Sequence, residues 1–522
     1  MPHVYTLPDT ILSSAHQYPN KEAFRCDGKA VSFAEMVAIM NQIAYFLHDC
    51  GLNKGEKVGV YLPRSLHTAL AVYGIMHAGG VYVPLDPDAP ISRIQHLIRD
   101  CGIKILITNP FKRRAIPKLL EGFDELTHII GIKRETLSVP TCSWEEIQTL
   151  PETFPKSRVQ AQDLAYIMYT SGSTGAPKGI MHTHYSGLSY AKLSQDLYEL
   201  GSEDIIGNHS PLHFDISTMG YFTAPLAGST AVIISDAYTK MPASLSQLIE
   251  KERLTLWYSV PLALIQILNR GVMEERDFSS LRWVLFGGEP FPTKHLRELM
   301  EKIPQATFCN VYGPAEVNQC TYYHLPHPPT DHTPIPIGHI WPNTEGLIVD
   351  KDGQEVQQGD IGELLIKSAT RMQGYWNNPE LTDRSFYKRN TTGIEEIYFK
   401  TGDLVRENEE GLLEFLGRKD RQIKVRGYRV ELDEIESYLY EHPAVQEVAV
   451  FATQGKDNNK QIEAIVIPKT GHTFTLEELK SHLTKRLPPY AVPTKISTTD
   501  TFPRTSTGKI NYIQLAQQQQ LI

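Results

Sequence analysis

Apolar runs and amphipathic segments alternate along the first hundred residues of the chain. A Ser-x-x-Glu capping box at Ser32 opens a segment with apolar residues at helical spacing, which ends at Gly51. The same patterns predict strands at 58–62, 81–85 and 105–108, and helices at 65–78 and 91–100. Strands that alternate with helices in this way predict parallel strands joined by crossover helices, so we expect a layered α/β fold.

The pattern changes near residue 417, where a segment rich in Arg and Lys lies between Gly417 and Gly427. About a hundred residues follow with a pattern of their own. It predicts helices at 433–441 and after a second capping box at Thr475, and strands at 447–452 and 461–468. We therefore predict two domains, a large α/β domain at 1–419 and a small α+β domain at 420–522.

Composition narrows the class of protein. A chain of 522 residues is too long for one compact core, which agrees with two domains. The net charge of −9 speaks against nucleic acid as a partner. The six cysteines show no C-x-x-C spacing, the first residues lack a signal-peptide pattern, and no apolar run approaches the roughly 20 residues of a membrane span. We expect a cytoplasmic protein without a membrane partner.

A loop rich in glycine and hydroxyl side chains follows a predicted buried strand at 164–169. It has the sequence Tyr169-Thr-Ser-Gly-Ser-Thr-Gly-Ala-Pro-Lys178-Gly179. Glycines let backbone N–H groups approach phosphate oxygens, hydroxyls donate further hydrogen bonds, and lysine adds a positive charge. A phosphate-binding loop is therefore one interpretation; the spacing is not that of a Walker A motif, and the cluster by itself favours a flexible surface loop. The candidate phosphate-binding residues are Thr170, Ser171, Gly172, Ser173, Thr174, Gly175 and Lys178.

The rest of the chain favours the first interpretation, because about nine segments together resemble the adenylate-forming superfamily. They are most similar to the amino-acid adenylation domains of nonribosomal peptide synthesis. Besides the loop, they include 213–217, 310–316, 400–403 and 507–510, and they follow one another in the family's order over nearly the whole chain. The resemblance implies a large N-terminal domain, a small mobile C-terminal domain and an active site between them. It also implies a reaction in which ATP and a carboxylate give an acyl-adenylate and pyrophosphate, after which a thiol takes the acyl group as a thioester.

The resemblance assigns catalytic and metal-binding roles. Both reactants of the first step are anionic, so catalysis depends on positioning and charge neutralisation. Lys509 is expected to contact the substrate carboxylate and the charge developing at the α-phosphate, and Lys424 is also expected to point into the site. Mg²⁺ prefers oxygen ligands, and Glu316 is the expected ligand, together with a hydroxyl of Thr170 or Thr174.

Further residues are implied to bind the nucleotide. Tyr312 would stack on the adenine ring, Asn310 would form hydrogen bonds with its edge, and Asp403 would accept hydrogen bonds from the ribose hydroxyls. Phe415 stands where many relatives carry tyrosine, so one polar contact is expected to be missing. The remaining nucleotide-binding candidates are Gly287, Gly313 and Arg418.

Asp215 distinguishes amino acids from other carboxylic acids as substrates. In the amino-acid-activating branch an aspartate at this point pairs with the α-ammonium group, and fatty-acid and aryl-acid relatives generally lack it. A carboxylate removed from water favours a cationic partner. Capping of a helix near Ser217 is the alternative role. The resemblance also implies the residues of the substrate pocket: Phe214, Asp215, Ile216, Met219, Ser259, Leu285, Gly287, Val311, Gln319 and Cys320.

The pocket residues predict the class of amino acid. Apart from Asp215 they carry no charge, which disfavours a basic or acidic side chain, and the bulk of Met219 and Leu285 indicates a small or medium apolar substrate. Segments 211–215 and 313–320 also resemble free-standing prolyl–carrier-protein ligases of pyrrole and anatoxin-type pathways, so L-proline is the expected substrate. Gln319 departs from the aliphatic residue expected there. Another small apolar amino acid, or an acyl- or aryl-CoA synthetase of the same fold, is the alternative.

The thiol is expected to come from another protein. No carrier-protein motif follows Lys509 in this sequence, so we expect a free-standing, monomeric enzyme that uses the phosphopantetheine of a separate carrier protein. The resemblance implies a hinge at Asp420 and places Gly427 beside the path of the thiol, where a side chain would block it. A non-catalytic nucleotide-binding protein of this fold would be expected to lack Lys509, Glu316 or Asp403, and all three are present.

Overall fold

The computed structural model describes residues 3–133, 136–155, 158–172, 176–455, 460–469, 474–504 and 510–519. The chain divides into two compact units. The first comprises Met1–Pro87, Ile98–Met168 and Gly179–Lys419, and the second comprises Asp88–Leu97, Tyr169–Lys178 and Asp420–Ile522. The second unit thus includes two short segments from the N-terminal part of the chain, and the domain bounds 1–419 and 420–522 stay a prediction.

The largest sheet of the first unit has parallel central strands and antiparallel edges. Within the described ranges its nine strands, from one edge to the other, are His339–Ile340, Thr321–Leu325, Thr307–Tyr312, Trp283–Gly287, Leu256–Ser259, Ile205–Asn208, Thr230–Ile233, Glu22–Cys26 and Lys29–Ser32. Alternate residues of the central strands pack into different apolar clusters, Leu285 and Val311 on one face and Val284 and Phe286 on the other. Both faces of this sheet are therefore buried.

A second sheet is also mostly parallel. Its eight strands, counted over the described residues, are Gly374–Tyr375, Lys178–Thr183, Leu164–Thr170, Val81–Pro84, Lys57–Val60, Ile105–Ile107, His128–Ile130 and Thr141–Cys142. The strands predicted at 58–62, 81–85 and 105–108 are among them, shifted by one or two residues at their ends. The predicted α/β class is confirmed.

An antiparallel sheet follows in the chain. The strands that the structure describes in it are Thr344–Val349, Ile361–Ser368, Phe386–Thr391, Ile394–Glu407 and Leu413–Arg418. The last two pair so that Asp403 lies opposite Arg418. Two residues fifteen positions apart are thereby brought side by side.

Some of the helices begin at a capping side chain. The Ser32 hydroxyl accepts a hydrogen bond from the Glu35 N–H group, and Thr475 does the same for Glu478. The α-helices are Leu7–Gln17, Phe33–Asp49, Leu66–His77, Ile91–Cys101, Ile116–Leu120, Trp144–Ile147, His184–Leu197, Ala224–Ala227, Asp236–Thr239, Pro242–Glu252, Pro261–Arg270, Thr293–Lys302, Pro379–Ser385, Leu432–Tyr440, Leu476–Thr484 and Tyr512–Gln518. Across the described part of the chain, none of the helices is long and apolar enough to cross a membrane.

The second unit contains a hairpin and a small sheet. Strands Gln422–Val425 and Tyr428–Glu431 are joined by a two-residue turn in which both Arg426 (φ 54°) and Gly427 (φ 82°) are left-handed. Left-handed conformations at both positions are typical of tight hairpin turns, and glycine adopts them without strain. The small sheet consists of Val445–Gln454, Lys460–Pro468 and Lys495–Thr498.

Candidate active site

Asp403 lies buried between an aromatic and a basic side chain of the first unit. The Tyr312 hydroxyl donates to Asp403 Oδ2, and Arg418 Nη1 donates to Oδ1 at 2.6 Å. Burial, followed by the Asp403 charge, raises the pKa of Tyr312 well above its usual value, so its hydroxyl remains a donor. The Phe415 ring centre lies 6.4 Å from that of Tyr312. The structure therefore brings together four of the predicted nucleotide-binding residues.

Asn310 and Tyr312 share one face of strand Thr307–Tyr312, because side chains two positions apart in a strand point the same way. The Asn310 amide nitrogen donates to the carbonyl of Pro336 at 2.8 Å, which fixes its orientation. Gly313 directly follows this strand, and its backbone lies very close to the backbone of Asn318. A Cβ atom there would lie 1.9 Å from the Asn318 carbonyl oxygen, so only glycine fits.

Glu316, the predicted metal ligand, is fully buried. The Tyr375 hydroxyl donates to its Oε1 at 2.7 Å, and the Met372 N–H group donates to its backbone carbonyl. Burial lowers the pKa of the neighbouring His182 to about 4. A hydrogen bond with the Ala315 carbonyl and the charge of Glu316 act in the opposite direction. The described residues hold no cluster of three or more His, Cys, Asp or Glu able to bind a metal ion. A single carboxylate still fits Mg²⁺, which is often bound by one or two carboxylates together with phosphates and water.

The predicted phosphate-binding loop belongs to the second unit. The Thr170 hydroxyl is buried at the end of strand Leu164–Thr170 and forms no hydrogen bond with any residue the structure describes. A Cβ atom at Gly172 would lie 1.9 Å from the Ala176 carbonyl oxygen, so the loop requires glycine there. A buried hydroxyl beside a glycine turn fits an oxygen-rich ligand. The other candidates in this loop, Ser173, Thr174 and Gly175, lie outside the described residues.

The two ends of this loop contact the hairpin 422–431 within the second unit. The Ser171 hydroxyl donates to the Arg429 carbonyl at 2.9 Å, and Lys178 Nζ lies 3.6 Å from Glu431 Oε1. Lys424 lies on the same hairpin, directly opposite Arg429. The structure therefore brings Ser171 and Lys178 together with the hairpin that carries Lys424 and Gly427.

The predicted hinge lies just before this hairpin. Asp420 Oδ1 accepts a hydrogen bond from the Gln422 N–H group at 3.2 Å. The division between the two units falls between Lys419 and Asp420. The structure does not test a movement about this point, so the hinge stays a prediction. Lys509 lies outside the described residues.

Asp215, in the first unit, begins a short turn of 3₁₀ helix, Asp215–Ser217. Its Oδ1 accepts from the Ile216 N–H group at 3.0 Å, and the Ser217 hydroxyl donates to the Phe214 carbonyl at 2.6 Å. Burial is the main cause that raises the pKa values of three tyrosines, and the Asp215 charge acts on each of them in the same direction. These tyrosines are Tyr166, Tyr190 and Tyr258. Asp215 is therefore a negative charge beside a group of buried aromatic rings.

Several of the predicted pocket residues belong to the large apolar cluster that contains Tyr166 and Tyr258. Met219, Leu285 and Val311 belong to the same apolar cluster as Tyr258, and Ile216 packs against it. A Cβ atom at Gly287 would lie 2.2 Å from the Val311 carbonyl oxygen and 3.7 Å from the Tyr258 hydroxyl. The Val311 backbone therefore passes so close to Gly287 that the position requires glycine, and the Tyr258 hydroxyl lies next to it.

Two predicted pocket residues lie elsewhere. The Ser259 hydroxyl accepts from Trp257 Nε1 at 2.8 Å, and Trp257 packs on the face of the sheet opposite to Leu285 and Val311. Cys320 packs with Val317 in a different apolar cluster, and burial raises the pKa of its thiol. Ser259 and Cys320 therefore lie outside the apolar cluster that contains Tyr258.

Tyr258 is the pocket residue that the sequence analysis missed. It directly precedes Ser259 and therefore points to the opposite face of strand Leu256–Ser259. All four residues of this strand are buried. The strand therefore lacks the alternation of apolar and polar residues that would indicate which side chain faces the pocket. The register with the neighbouring strand, in which Tyr258 lies opposite Leu285, provides that information.

Comparisons with known protein families cover most of the chain. The model of the AMP-binding enzyme family matches residues 12–376, and the model of the AMP-binding enzyme C-terminal domain matches residues 434–509. An L-proline–[L-prolyl-carrier protein] ligase of Pseudomonas fluorescens is 30% identical over 515 residues, 98% of this chain and 99% of that protein. A protein of the same name from Streptomyces coelicolor is 33% identical over 534 residues, 98% of this chain and 96% of that protein.

Solved structures agree on the fold. The adenylation domain AlmE of Vibrio cholerae, in complex with glycyl-adenosine-5′-phosphate, aligns with a TM-score of 0.84 at 24% identity, over 99% of both chains. The amide bond synthetase McbA of Marinactinospora thermotolerans aligns with a TM-score of 0.86 at 23% identity, over 98% of this chain and 99% of that one. At these identities the likeness concerns the fold alone.

Proposed function

Because this chain belongs to the AMP-binding enzyme family, we propose that it is a ligase that uses ATP to activate an amino acid and transfers it to a carrier protein. The first step forms an aminoacyl-AMP and releases pyrophosphate, and the second forms a thioester with phosphopantetheine. The names of the two prolyl ligases, which match almost from end to end, support both steps.

One structural observation supports an amino acid over other carboxylic acids. The Asp215 carboxylate lies beside buried tyrosines, and its charge is the largest cause after burial that raises the pKa of Tyr166. A negative charge in surroundings of low polarity favours a cationic ligand group over a neutral one. The α-ammonium group of an amino acid has that charge, whereas an acyl or aryl carboxylic acid offers nothing to match it.

The chain's own residues supply binding and charge neutralisation. We assign Tyr312, Asp403 and Arg418 to the nucleoside, supported by the hydrogen bonds that hold the three side chains together. ATP, when bound, supplies the α-phosphate that the amino-acid carboxylate attacks. Lys509 and Lys424 neutralise negative charge at the reacting groups, a role that the family resemblance implies.

Mg²⁺ is part of the proposal. Glu316 would hold it, since a buried carboxylate oriented by Tyr375 matches the ligand type that this ion prefers. The buried hydroxyl of Thr170 supports its role as a second oxygen donor. These residues would hold the ion, which would neutralise negative charge on the phosphates.

The second step requires the thiol to reach the adenylate. We propose that the chain bends at Asp420 and that Gly427 leaves room for the phosphopantetheine arm. The left-handed φ of 82° at Gly427, and the tight turn that it forms with Arg426, support a requirement for glycine. The carrier is proposed to be a separate protein, and the enzyme a cytoplasmic monomer without nucleic-acid or membrane partners; the net charge of −9 supports the exclusion of nucleic acid.

L-Proline is the proposed substrate, supported by the two prolyl ligases and by the apolar residues Met219, Leu285 and Val311 beside Tyr258. The test is ATP–pyrophosphate exchange with each of the twenty amino acids and with simple acyl and aryl carboxylic acids. We expect exchange with a small amino acid, and a gain of the aminoacyl mass by a phosphopantetheinylated carrier protein in an intact-mass measurement. Exchange with carboxylic acids alone, followed by transfer to coenzyme A, would identify an acyl- or aryl-CoA synthetase instead.

A further inference from the structure

The loop 313–320 carries Glu316 and is held in place through its backbone. The Met372 N–H group donates to the Glu316 carbonyl at 2.7 Å, and the Thr370 hydroxyl donates to the Val317 carbonyl at 2.6 Å. Because these hydrogen bonds hold carbonyl groups, they fix the course of the loop and not only one side chain. The proposed Mg²⁺ ligand therefore has a defined position within the first unit.

A side chain of the same loop also holds the turn that carries Asp215. The amide nitrogen of Asn318, a buried residue, donates to the Thr218 hydroxyl at 3.2 Å, across 100 positions of the chain. The Thr218 hydroxyl, also buried, donates in turn to the Asp215 carbonyl at 2.5 Å. A hydroxyl has one proton to donate and lone pairs that accept, so Thr218 can serve both partners at once. Asn318 is thereby connected to Asp215 through a single hydroxyl group.

The backbone is irregular at both ends of this connection. Asn318 is left-handed (φ 61°), a conformation that asparagine adopts more readily than most residues. Thr218 lies where a turn of 3₁₀ helix, Asp215–Ser217, passes into a turn of π-helix, Met219–Thr223. π-Helical turns are rare and occur frequently at functional sites. Two irregular segments joined by a buried hydrogen bond indicate that their relative position matters to function.

We infer that the hydrogen bond between Asn318 and Thr218 sets where Asp215 lies relative to the loop 313–320. The two bonded residues are thus positioning residues for the amino-acid substrate. This inference rests on the proposed function, in which Asp215 binds the α-ammonium group and Glu316 binds Mg²⁺. Thr218 acts through the Asp215 carbonyl, and Asn318 acts through the backbone that it shares with Glu316.

The separation of the two proposed binding groups matters to the first step of the reaction. The carboxylate of the amino acid has to reach the α-phosphate while Asp215 binds the ammonium group of the same small molecule. A displacement of about 1 Å can lower the rate of such a step about a hundredfold. A hydrogen bond that attaches the Asp215 turn to the loop of Glu316 limits displacements of this kind. Its loss should impair the use of the amino acid and leave ATP binding intact.

ATP–pyrophosphate exchange by the full-length enzyme tests the role of the Thr218 hydroxyl. The substrate is the amino acid with the highest exchange among the twenty, which we expect to be L-proline. Thr218→Val closely matches the shape of the side chain and removes the hydroxyl. We expect KM for the amino acid to rise about tenfold or more, whereas ATP affinity in equilibrium binding changes less than about twofold. Thr218→Ser keeps the hydroxyl and should restore KM to near the wild-type value.

Asn318→Gly tests the other partner. Glycine adopts the left-handed conformation without strain, so this variant removes the amide and keeps the turn. It should raise KM for the amino acid as Thr218→Val does. If both residues act through one hydrogen bond, the double variant should lose about as much as the more affected single variant. A loss equal to the product of the two single losses would contradict a shared role.

Thr10→Val is the matched control for stability. Thr10 is buried like Thr218, and its hydroxyl also donates to the carbonyl three positions earlier, that of Leu7, at 2.7 Å. It lies on helix Leu7–Gln17, which carries none of the predicted site residues. Both valine variants should lower Tm by a similar amount, but only Thr218→Val should raise KM for the amino acid. An equal rise of KM in both variants, or in neither, would show that the Thr218 hydroxyl serves the fold alone.

The results also separate this inference from the proposed function. If an amino acid supports exchange and Thr218→Val uses it as well as the wild type does, only the inference fails. If no amino acid supports exchange and a simple carboxylic acid does, the proposed function fails, and the inference fails with it.

Discussion

The Tyr375 hydroxyl donates a hydrogen bond of 2.7 Å to Glu316 Oε1, and both side chains are buried. The two residues are 59 positions apart in the chain, so the contact arises from the tertiary structure. A carboxylate in a turn, proposed to bind Mg²⁺, is thus oriented by a phenol of the strand Gly374–Tyr375. Partners of this kind fix the direction of a metal ligand and raise the affinity of the site.

Tyr375→Phe should weaken the binding of Mg²⁺ by Glu316. Removal of the hydroxyl leaves Glu316 Oε1 without this donor and frees the carboxylate to rotate. We expect the Mg²⁺ concentration for half-maximal pyrophosphate exchange to rise about 10- to 100-fold, while kcat at saturating Mg²⁺ changes less.

Tyr398→Phe is the matched control for this prediction, because the Tyr398 hydroxyl donates to a different glutamate, Glu345, at 2.5 Å. This variant should leave the Mg²⁺ dependence as it is. An unchanged Mg²⁺ dependence in Tyr375→Phe, or an equal shift in both variants, would contradict the role of Tyr375.

Buried histidines predict how stability depends on pH. Burial is the main cause that lowers the pKa of His182 and of His184 from 6.5 to about 4. Between pH 4 and pH 6.5 the unfolded chain binds more protons than the folded one, so the free energy of unfolding rises with pH. This contribution is complete above pH 6.5 and is lost as the pH falls towards 4. Each histidine should contribute about 1.4 kcal/mol per pH unit within the window.

Urea unfolding between pH 5 and pH 7 measures this slope. His184→Leu should reduce it by the contribution of one proton. The same slope in His184→Leu and in the wild type would show that His184 does not titrate on unfolding.

Lys509→Ala should separate binding from chemistry. The resemblance implies that this lysine neutralises charge at the reacting groups, so its loss should lower the rate of adenylate formation by about a hundredfold or more. ATP affinity, measured by equilibrium binding, should stay nearly unchanged. Pyrophosphate exchange close to that of the wild type would refute the assignment.

Asp420→Pro should separate the two half-reactions. Proline fixes φ and restricts the residue before it, so a hinge at this point would lose its freedom. We expect adenylate formation to be spared and thioester formation to slow by up to roughly a hundredfold. Equal losses in pyrophosphate exchange and in loading of the carrier protein would count against the hinge.

Hydrophobic periodicity predicted the elements of the first unit well where a strand or helix has a cap or a glycine at its end. The helix predicted from Ser32 to Gly51 is observed at Phe33–Asp49, with its capping box formed. Strand ends differ by one or two residues, because the last backbone hydrogen bond depends on the neighbouring strand rather than on local sequence.

The candidate site could be predicted where one motif carries several of its residues. Asn310 and Tyr312 come from one motif and lie on one strand face, whereas Asp403 and Arg418 come from two segments and meet through strand pairing. Their role in nucleotide binding stays a prediction. The sequence could not identify Tyr258 or Tyr375. A strand buried on both faces gives no alternation that would show where Tyr258 points, and the Tyr375 contact joins segments far apart in the chain.

The proposed function depends most on the attraction between Asp215 and an α-ammonium group, and one pair of substrates isolates that attraction. L-Proline and cyclopentanecarboxylic acid have rings of the same size, and only proline carries the charged nitrogen. In ATP–pyrophosphate exchange we predict that the wild type favours L-proline by at least about a hundredfold, and that Asp215→Asn loses most of this preference. Equal exchange with both compounds by the wild type would contradict the account.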